Sequence, residues 1–330
     1  MEGVPSRFLI RFAPAFCSMI NRRLIRIKAF QALFGEYCQE QSRPSVVLNQ
    51  VQKSIHGLGT NFLAVLSFGP EFCHFISSEH NPSEFKFQPK DDDIKSFQLF
   101  TENVFFKALE ADKKISAYRA RPTLDWQQEK DIMFLIYKEL KKTTEYEEAI
   151  SSDLTIKAQT DFALFIYKFL MLHSVEFEQL MEDKNIVWYD EKIPILKSVE
   201  GLMTEYEKSG NISLPNLFKN EEEDLQLSED LILKYFEFRT ELETELQEFT
   251  PGWDSERMTK IDHLLMIMAL LEFKYMPMIP VKVTLNEYIE IAKMYSTPKS
   301  SKFVNGTLDK ILKDWNAKDL IKKKGRGLIG

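Results

Sequence analysis

Residues 280–312 read PVKVTLNEYIEIAKMYSTPKSSKFVNGTLDKIL, and the pattern in this stretch decides the fold. Thr284 and Glu287 have capping-box spacing, in which a hydroxyl and a carboxylate satisfy each other's backbone N–H groups at a helix start. Val283 before that cap and Tyr288 inside it can staple the turn, and Leu285, Tyr288, Ile289, Ala292 and Tyr295 recur on one face. Pro298 suits the first position of a second helix, striped by Val304, Leu308, Ile311, Leu312 and Trp315. The stretch therefore predicts a helical hairpin whose joint, Ser296 to Lys302, is polar and basic.

The same period runs through most of the chain. With 44% hydrophobic and 12% aromatic residues, only 12 glycines and 13 prolines, and few alternating runs, the 330 residues predict an all-α protein with a packed core. Cys17, Cys38 and Cys73 are scattered, which gives neither a disulfide framework nor a metal spacing and fits a reducing, cytoplasmic setting. No run of 18 uncharged apolar residues exists, so no membrane span is expected. The net charge of −7 hides an asymmetry: residues 19–34 carry +4, residues 299–330 carry +6, and the remainder carries −17.

From the N-terminus, residues 1–18 are apolar but broken by Arg11 and Pro14, and are read as an extension upstream of a natural start at Met19. Asn21 is a suitable N-cap for NRRLIRIKAFQALF. Arg22, Arg23 and Arg26 share one face of that helix. Cations in a first turn oppose the macrodipole by roughly 0.3–1 kcal/mol each, so local helix energetics do not ask for them; an external polyanion would, and a solvated basic face at a helix start is the other reading. Residues 45–80 continue as helix until Gly69-Pro70, where a break is expected, and the polar segment 81–93 is read as a domain boundary. Cys73, His74 and His80 lack a fourth ligand and read as core or surface residues rather than a metal site.

The middle of the chain contains a degenerate repeat. Ile115, Phe177 and Leu242 each precede a tryptophan by 11 residues (Trp126, Trp188, Trp253), and each Trp is followed by an acid–base pair: Glu129-Lys130, Glu191-Lys192 and Glu256-Arg257. Each unit reads as a helix end, a loop anchored by a buried Trp and an acidic first turn, and the units are expected to stack. Asn216 to Asp230 reads as a solvated acidic connector, Met258 to Tyr275 as a very apolar helix ended by Pro277 and Pro280, and the tail from Lys322 as basic and mobile. The expected layout is an extension (1–18), an N-terminal helical subdomain (19–90), an insertion of Trp-anchored hairpins (91–229), a C-terminal subdomain (230–315) and a basic tail (316–330). No glycine-rich phosphate loop, HExxH, CxxC or GxSxG element occurs, and Asp262-His263 has no placed nucleophile beside it, so neither an enzyme nor a cofactor is expected.

Two separated parts, NRRLIRIKAFQALF and WDSERMTKIDHLLMIMALLEF followed by VKVTLNEYIEIAKMYS and KSSKFVNGTLDKIL, together resemble the NusB family of transcription antitermination factors. The second part is the specific one, and the GRGLI ending is similar to that of long, Bacteroidetes-like versions. The resemblance implies a NusB-like helical bundle of two subdomains, here with inserted hairpins. It implies binding of the boxA element of ribosomal RNA leader transcripts together with NusE, a ribosomal protein, in the antitermination complex on RNA polymerase; no DNA is expected. It places RNA contacts on Arg22, Arg23, Arg26, Lys28 and Phe34 and, across the joint, on Lys299, Lys302 and Phe303. Partner contacts fall on Asp262 and Glu256. Leu24 interrupts a basic run often continuous in the family, Phe34 stands where Tyr is common, and some members carry an acid at the position of Lys299. An RNA-modifying enzyme would need a cofactor segment that is missing here; a non-catalytic protein-binding scaffold is the other reading.

Overall fold

A computed structural model describes residues 18–39, 43–85, 88–250 and 259–328. Helices account for the architecture, and no strand occurs among the described residues. The chain divides into two compact units, residues 58–217 with Met19 as unit 1, and residues 20–57 with 218–330 as unit 2. These divisions fall inside a helix and in the loop at 217–218, whereas the polar segments at 81–93 and 229–230 suggested the boundaries.

Unit 2 contains α1 (Arg22–Gln39), the first part of α2 (Pro44–Glu79), α12 (Glu221–Phe249), α13 (Lys260–Tyr275), α14 (Val281–Tyr295) and α15 (Pro298–Ala317). Its axis is α13, in which Leu264 to Phe273 are all buried. A helix apolar on every side must be covered on every side. α1, α12, α14 and α15 all pack against it. The hairpin of α14 and α15 forms as the sequence predicted, with Pro298 at the start of α15 and Thr297 capping it by accepting from the Ser300 N–H at 3.2 Å. Asn21 likewise caps α1, accepting from the Leu24 N–H at 2.9 Å.

Three expectations for unit 2 are corrected. The capping box at Thr284 does not form, because α14 starts three residues earlier at Val281 behind Pro280, and Thr284 and Glu287 make tertiary bonds instead. The acidic run Glu221 to Asp224 is the first turn of α12 rather than a connector; four acids there face the positive end of the helix dipole, behind the Asn220 cap. The tail is docked. Lys323 Nζ donates to the Glu272 and Met276 carbonyls at 2.8 and 3.0 Å, and the Lys324 N–H donates to Pro277 O at 3.0 Å. Gly325 takes φ +51°, and a Cβ at Gly327 would lie 2.0 Å from the Pro277 oxygen, so both glycines are required for this approach.

Unit 1 contains the rest of α2, the short α3 (Pro82–Phe85), α4 (Asp91–Thr101), α5 (Val104–Ala111), α6 (Lys113–Ala120), α7 (Lys130–Leu140), α8 (Thr144–Ser151), α9 (Ile156–His173), α10 (Val175–Lys184) and α11 (Trp188–Ser209). The first two tryptophan units pack on each other: Trp126 stacks on Phe177 with ring centroids 6.0 Å apart, and Phe177 meets Trp188 edge-on at 5.7 Å. Both tryptophans are buried, and the Trp126 indole donates to Ala64 O at 3.0 Å. The third unit's Trp253, Glu256 and Arg257 lie outside the described residues, as does Cys17.

Gly69-Pro70 does not break α2, which continues to Glu79. Proline at position 70 has no N–H for the carbonyl four residues back, Leu66 O, and the buried Tyr167 hydroxyl donates to that oxygen at 2.8 Å. Gly69 makes room for this contact, since a Cβ there would lie 2.6 Å from both Tyr167 Oη and Phe106 Cδ1. The residues weighed as metal ligands are engaged otherwise. Cys73 donates to Phe100 O, His74 meets Glu110 at 2.6 Å, and His80 packs against Phe75, Phe134 and Tyr137. No described helix is long and apolar enough to cross a membrane.

Candidate nucleic-acid interface

All the sequence-predicted RNA contacts lie in unit 2, on α1 and around the α14–α15 joint. α1 and α14 run parallel. Arg23 forms a fork with Glu287 at 2.8 and 2.9 Å, and eight residues further along both helices Gln31 donates to the Tyr295 hydroxyl at 3.1 Å. Eight residues at 1.5 Å each separate these ties by about 12 Å. Tyr295 also meets Phe30 with centroids 5.2 Å apart, and Phe34 lies one turn beyond Phe30 at 6.0 Å. The joint that follows Tyr295 is thereby held beside the middle of α1, and Arg22 and Arg23 lie at the other end of the shared edge.

The cations at the two ends differ in their partners. Lys299 and Lys302, in the first turn and a half of α15, are exposed and have no ion-pair partner among the described residues. Phe303 beside them is half-buried, as is Phe34. At the other end Arg22 pairs with Glu223 at 2.8 Å and approaches Asp224 at 3.9 Å, and Arg23 pairs with Glu287; the two arginine side chains are 47% and 42% exposed. Tail residue Arg326 donates to the same Glu223 oxygen at 3.2 Å.

Arg26 and Lys28 are not surface groups, which corrects their assignment to an RNA face. Arg26 is 1% exposed and donates to both oxygens of Glu272 at 2.7 and 3.0 Å and to Arg22 O at 3.1 Å. The fully buried Glu272 carboxylate also accepts from the Thr284 and Tyr288 hydroxyls at 2.8 and 2.9 Å. One carboxylate thus ties together α1, α13 and α14. Burial disfavours the Arg26 charge, but attraction and hydrogen bonding to Glu272 outweigh it and raise its pKa. Burial, reinforced by the Glu272 charge, pushes the Tyr288 hydroxyl well above the usual phenol range, so it stays a donor. Lys28 is 2% exposed, with Nζ donating to Ser54 Oγ at 2.9 Å on α2. The sequence signal for this centre was Glu272 itself, a lone acid in an otherwise apolar run.

Asp262, expected to face a protein partner, is 2% exposed. It stands in the first turn of its helix beside the cap: Thr259 Oγ1 accepts from the Asp262 N–H at 3.1 Å and donates to Asp262 Oδ2 at 2.8 Å, while Oδ1 has no hydrogen-bond partner among the described residues. Thr259 and Asp262 have capping-box spacing, so the sequence did carry this reading. Glu256, the second expected partner contact, lies outside the described residues.

The family whose model matches is NusB, over residues 192–313, a span that holds α12 to α14 and most of α15 and therefore the joint, Glu272, Glu287 and Glu223, but not α1. Residues 192–313 are thus similar to the NusB family. Curated relatives agree: the chain is 45% identical over 89 residues to the transcription antitermination protein NusB of Chloroherpeton thalassium, covering 27% of this chain and 42% of that protein. It is 44% identical over 85 residues to NusB of Salinibacter ruber, covering 26% and 53%, and 35% identical over 94 residues to NusB of Methylacidiphilum infernorum, covering 28% and 66%. The matches thus span less than two thirds of each relative, and this chain is longer than a typical NusB. No solved structure matches.

Proposed function

We propose that this protein is an RNA-binding transcription antitermination factor that acts with NusE on boxA-containing ribosomal RNA leader transcripts, within the antitermination complex on RNA polymerase. The observation that carries the reading is the joint within the span that matches NusB, where Lys299 and Lys302 are exposed with no ion-pair partner among the described residues, Phe303 follows Lys302, and Tyr295 just before the joint meets Phe30 of α1, one turn from Phe34. Cations with aromatics are what single-stranded RNA requires. Ammonium groups neutralise phosphates and release counterions, and rings stack on splayed bases while edge contacts select sequence. Arg22 and Arg23 extend the track along α14 once they exchange their carboxylate partners for phosphates.

A gel shift with boxA RNA, with and without NusE, tests the proposal. Binding in the presence of NusE, weakened by Lys299→Glu, supports it, and a tighter complex with Lys299→Glu shows that the joint is not the RNA edge. Loss of RNA binding in every condition favours a protein-binding scaffold instead. That second reading has its own observation in unit 1, where Val175, Ile186 and Tyr189 are 63%, 97% and 68% exposed around the start of α10 and α11.

A further inference from the structure

We propose that Glu223 and Glu287 are built-in competitors for RNA phosphate, which hold back Arg22 and Arg23 and so confine strong binding to RNA that also engages Lys299 and Lys302. This rests on the RNA-binding reading above and adds to it two acidic residues that set affinity and selectivity. The geometry is direct. Arg23 presents two parallel N–H groups to Glu287, and a phosphate accepts through the same fork, so carboxylate and phosphate compete for one set of donors. Arg22 and Arg326 converge on one Glu223 oxygen at 2.8 and 3.2 Å, and Glu221 and Glu222 stand in the same first turn of α12. At this end of α1 the exposed guanidiniums are therefore matched by acids.

At the joint they are not. Lys299 and Lys302 have no acidic partner among the described residues, so they attract a polyanion first. An RNA seated there and running along the α1–α14 edge for about 12 Å reaches Arg23 and can displace Glu287. An RNA that does not fit the joint meets a neutralised surface. The latches are partly open to solvent, with Glu223 41% and Glu287 19% exposed, so the exchange needs no unfolding.

The test is a titration of fluorescent boxA RNA and a scrambled RNA of equal length, with and without NusE, over a series of salt concentrations. The proteins are the wild-type chain, Glu223→Gln, Glu287→Gln, the double variant, and Glu147→Gln, which removes an exposed acid of unit 1. Each latch variant is expected to bind about threefold to fivefold tighter, the scale of an exposed ion pair. Its slope of log K against log salt is expected to steepen by about 0.7 per carboxylate removed, and the boxA preference over scrambled RNA to narrow. Adding Arg23→Gln to Glu287→Gln is expected to cancel the gain, and melting curves identify any variant that fails to fold; Glu223→Gln stands as the independent second site. Wild-type binding with no gain in the latch variants, or an equal gain in Glu147→Gln, overturns this inference and leaves the RNA-binding reading standing. Absence of RNA binding by wild type and latch variants alike overturns both.

Discussion

Arg26→Ala is the substitution for which a surface role and a core role give opposite results. The side chain is 1% exposed and supplies two of the four hydrogen bonds received by the Glu272 carboxylate. Removing it leaves a fully buried anion supported only by two hydroxyls, and breaking a buried pair in this way costs about 3–5 kcal/mol. For a unit of about 150 residues, each kcal/mol lowers Tm by about 2–4 °C, so a fall of about 6–20 °C is expected. Arg22→Ala removes a half-exposed pair worth about 0–1 kcal/mol and is expected to shift Tm by no more than about 4 °C. Thermal unfolding followed by circular dichroism separates the two. The double substitution Arg26→Met with Glu272→Met removes both charges but strands the Thr284 and Tyr288 hydroxyls at about 1–3 kcal/mol each, so it is expected to recover only part of the loss. Equal shifts for Arg26→Ala and Arg22→Ala, or an Arg26→Ala protein that melts normally and only loses RNA affinity, would refute the core assignment.

Tyr167→Phe leaves the Leu66 carbonyl beside Pro70 without its donor and is expected to destabilise unit 1 by about 1–3 kcal/mol in urea unfolding. Gly69→Ala places a methyl group 2.6 Å from Phe106 and Tyr167 and is expected to cost about 1–3 kcal/mol in the same assay. Burial, only partly offset by Glu272, pushes Lys323 down to about 8 from its ordinary 10.5. The docked tail therefore loses its proton before the free tail does. Docking is penalised below pH 8 and strengthens as pH rises from about 8 to about 10.5, which slower proteolysis of residues 318–328 at pH 9.5 than at pH 7 would show, and Lys323→Met is expected to flatten the dependence. Gly327→Ala meets the Pro277 oxygen and is expected to release the tail, raising its hydrogen exchange without altering the melting of α13.

The elements were legible wherever apolar periodicity and caps acted locally. Asn21, Pro298, the stripe of α15, and the buried Trp126 and Trp188 could all be read because each depends on neighbours within a turn or two, or on side-chain size alone, whereas α14 buries Thr284, Tyr288, Ile291 and Ala292 and leaves Leu285, Ile289 and Tyr295 of its expected stripe half-exposed. Readings failed where a distant group supplied the missing partner. Pro70 has a local rule that ends helices, but the rule concerns an unsatisfied carbonyl, here that of Leu66, and Tyr167, 101 residues from Leu66, satisfies it. Lys323 and Lys324 read as a mobile tail because their acceptors are carbonyls at the end of α13, which no composition reveals. Thr284 and Glu287 matched a capping box by spacing, yet both side chains are claimed by other partners: Glu272 takes the hydroxyl and Arg23 takes the carboxylate.

The arginines of α1 show how a sound local argument can identify a need and mistake its source. Three cations in the opening turns work against the helix dipole, which points to an external polyanion or to a solvated basic face, and the family resemblance names the polyanion as RNA. The fold already contains three such anions. Glu223, Glu272 and Glu287 come from three different helices, 201 to 264 residues away in sequence, and each takes one of the α1 arginines. Only the degree of enclosure separates their roles. The Arg26–Glu272 pair is sealed and holds α1, α13 and α14 together, whereas Arg22 and Arg23 keep nearly half of their side chains in solvent. A basic stripe in sequence thus divides in space into one buried cation and two half-exposed ones. The lysines with no ion-pair partner among the described residues, Lys299 and Lys302, lie instead in the joint of the hairpin.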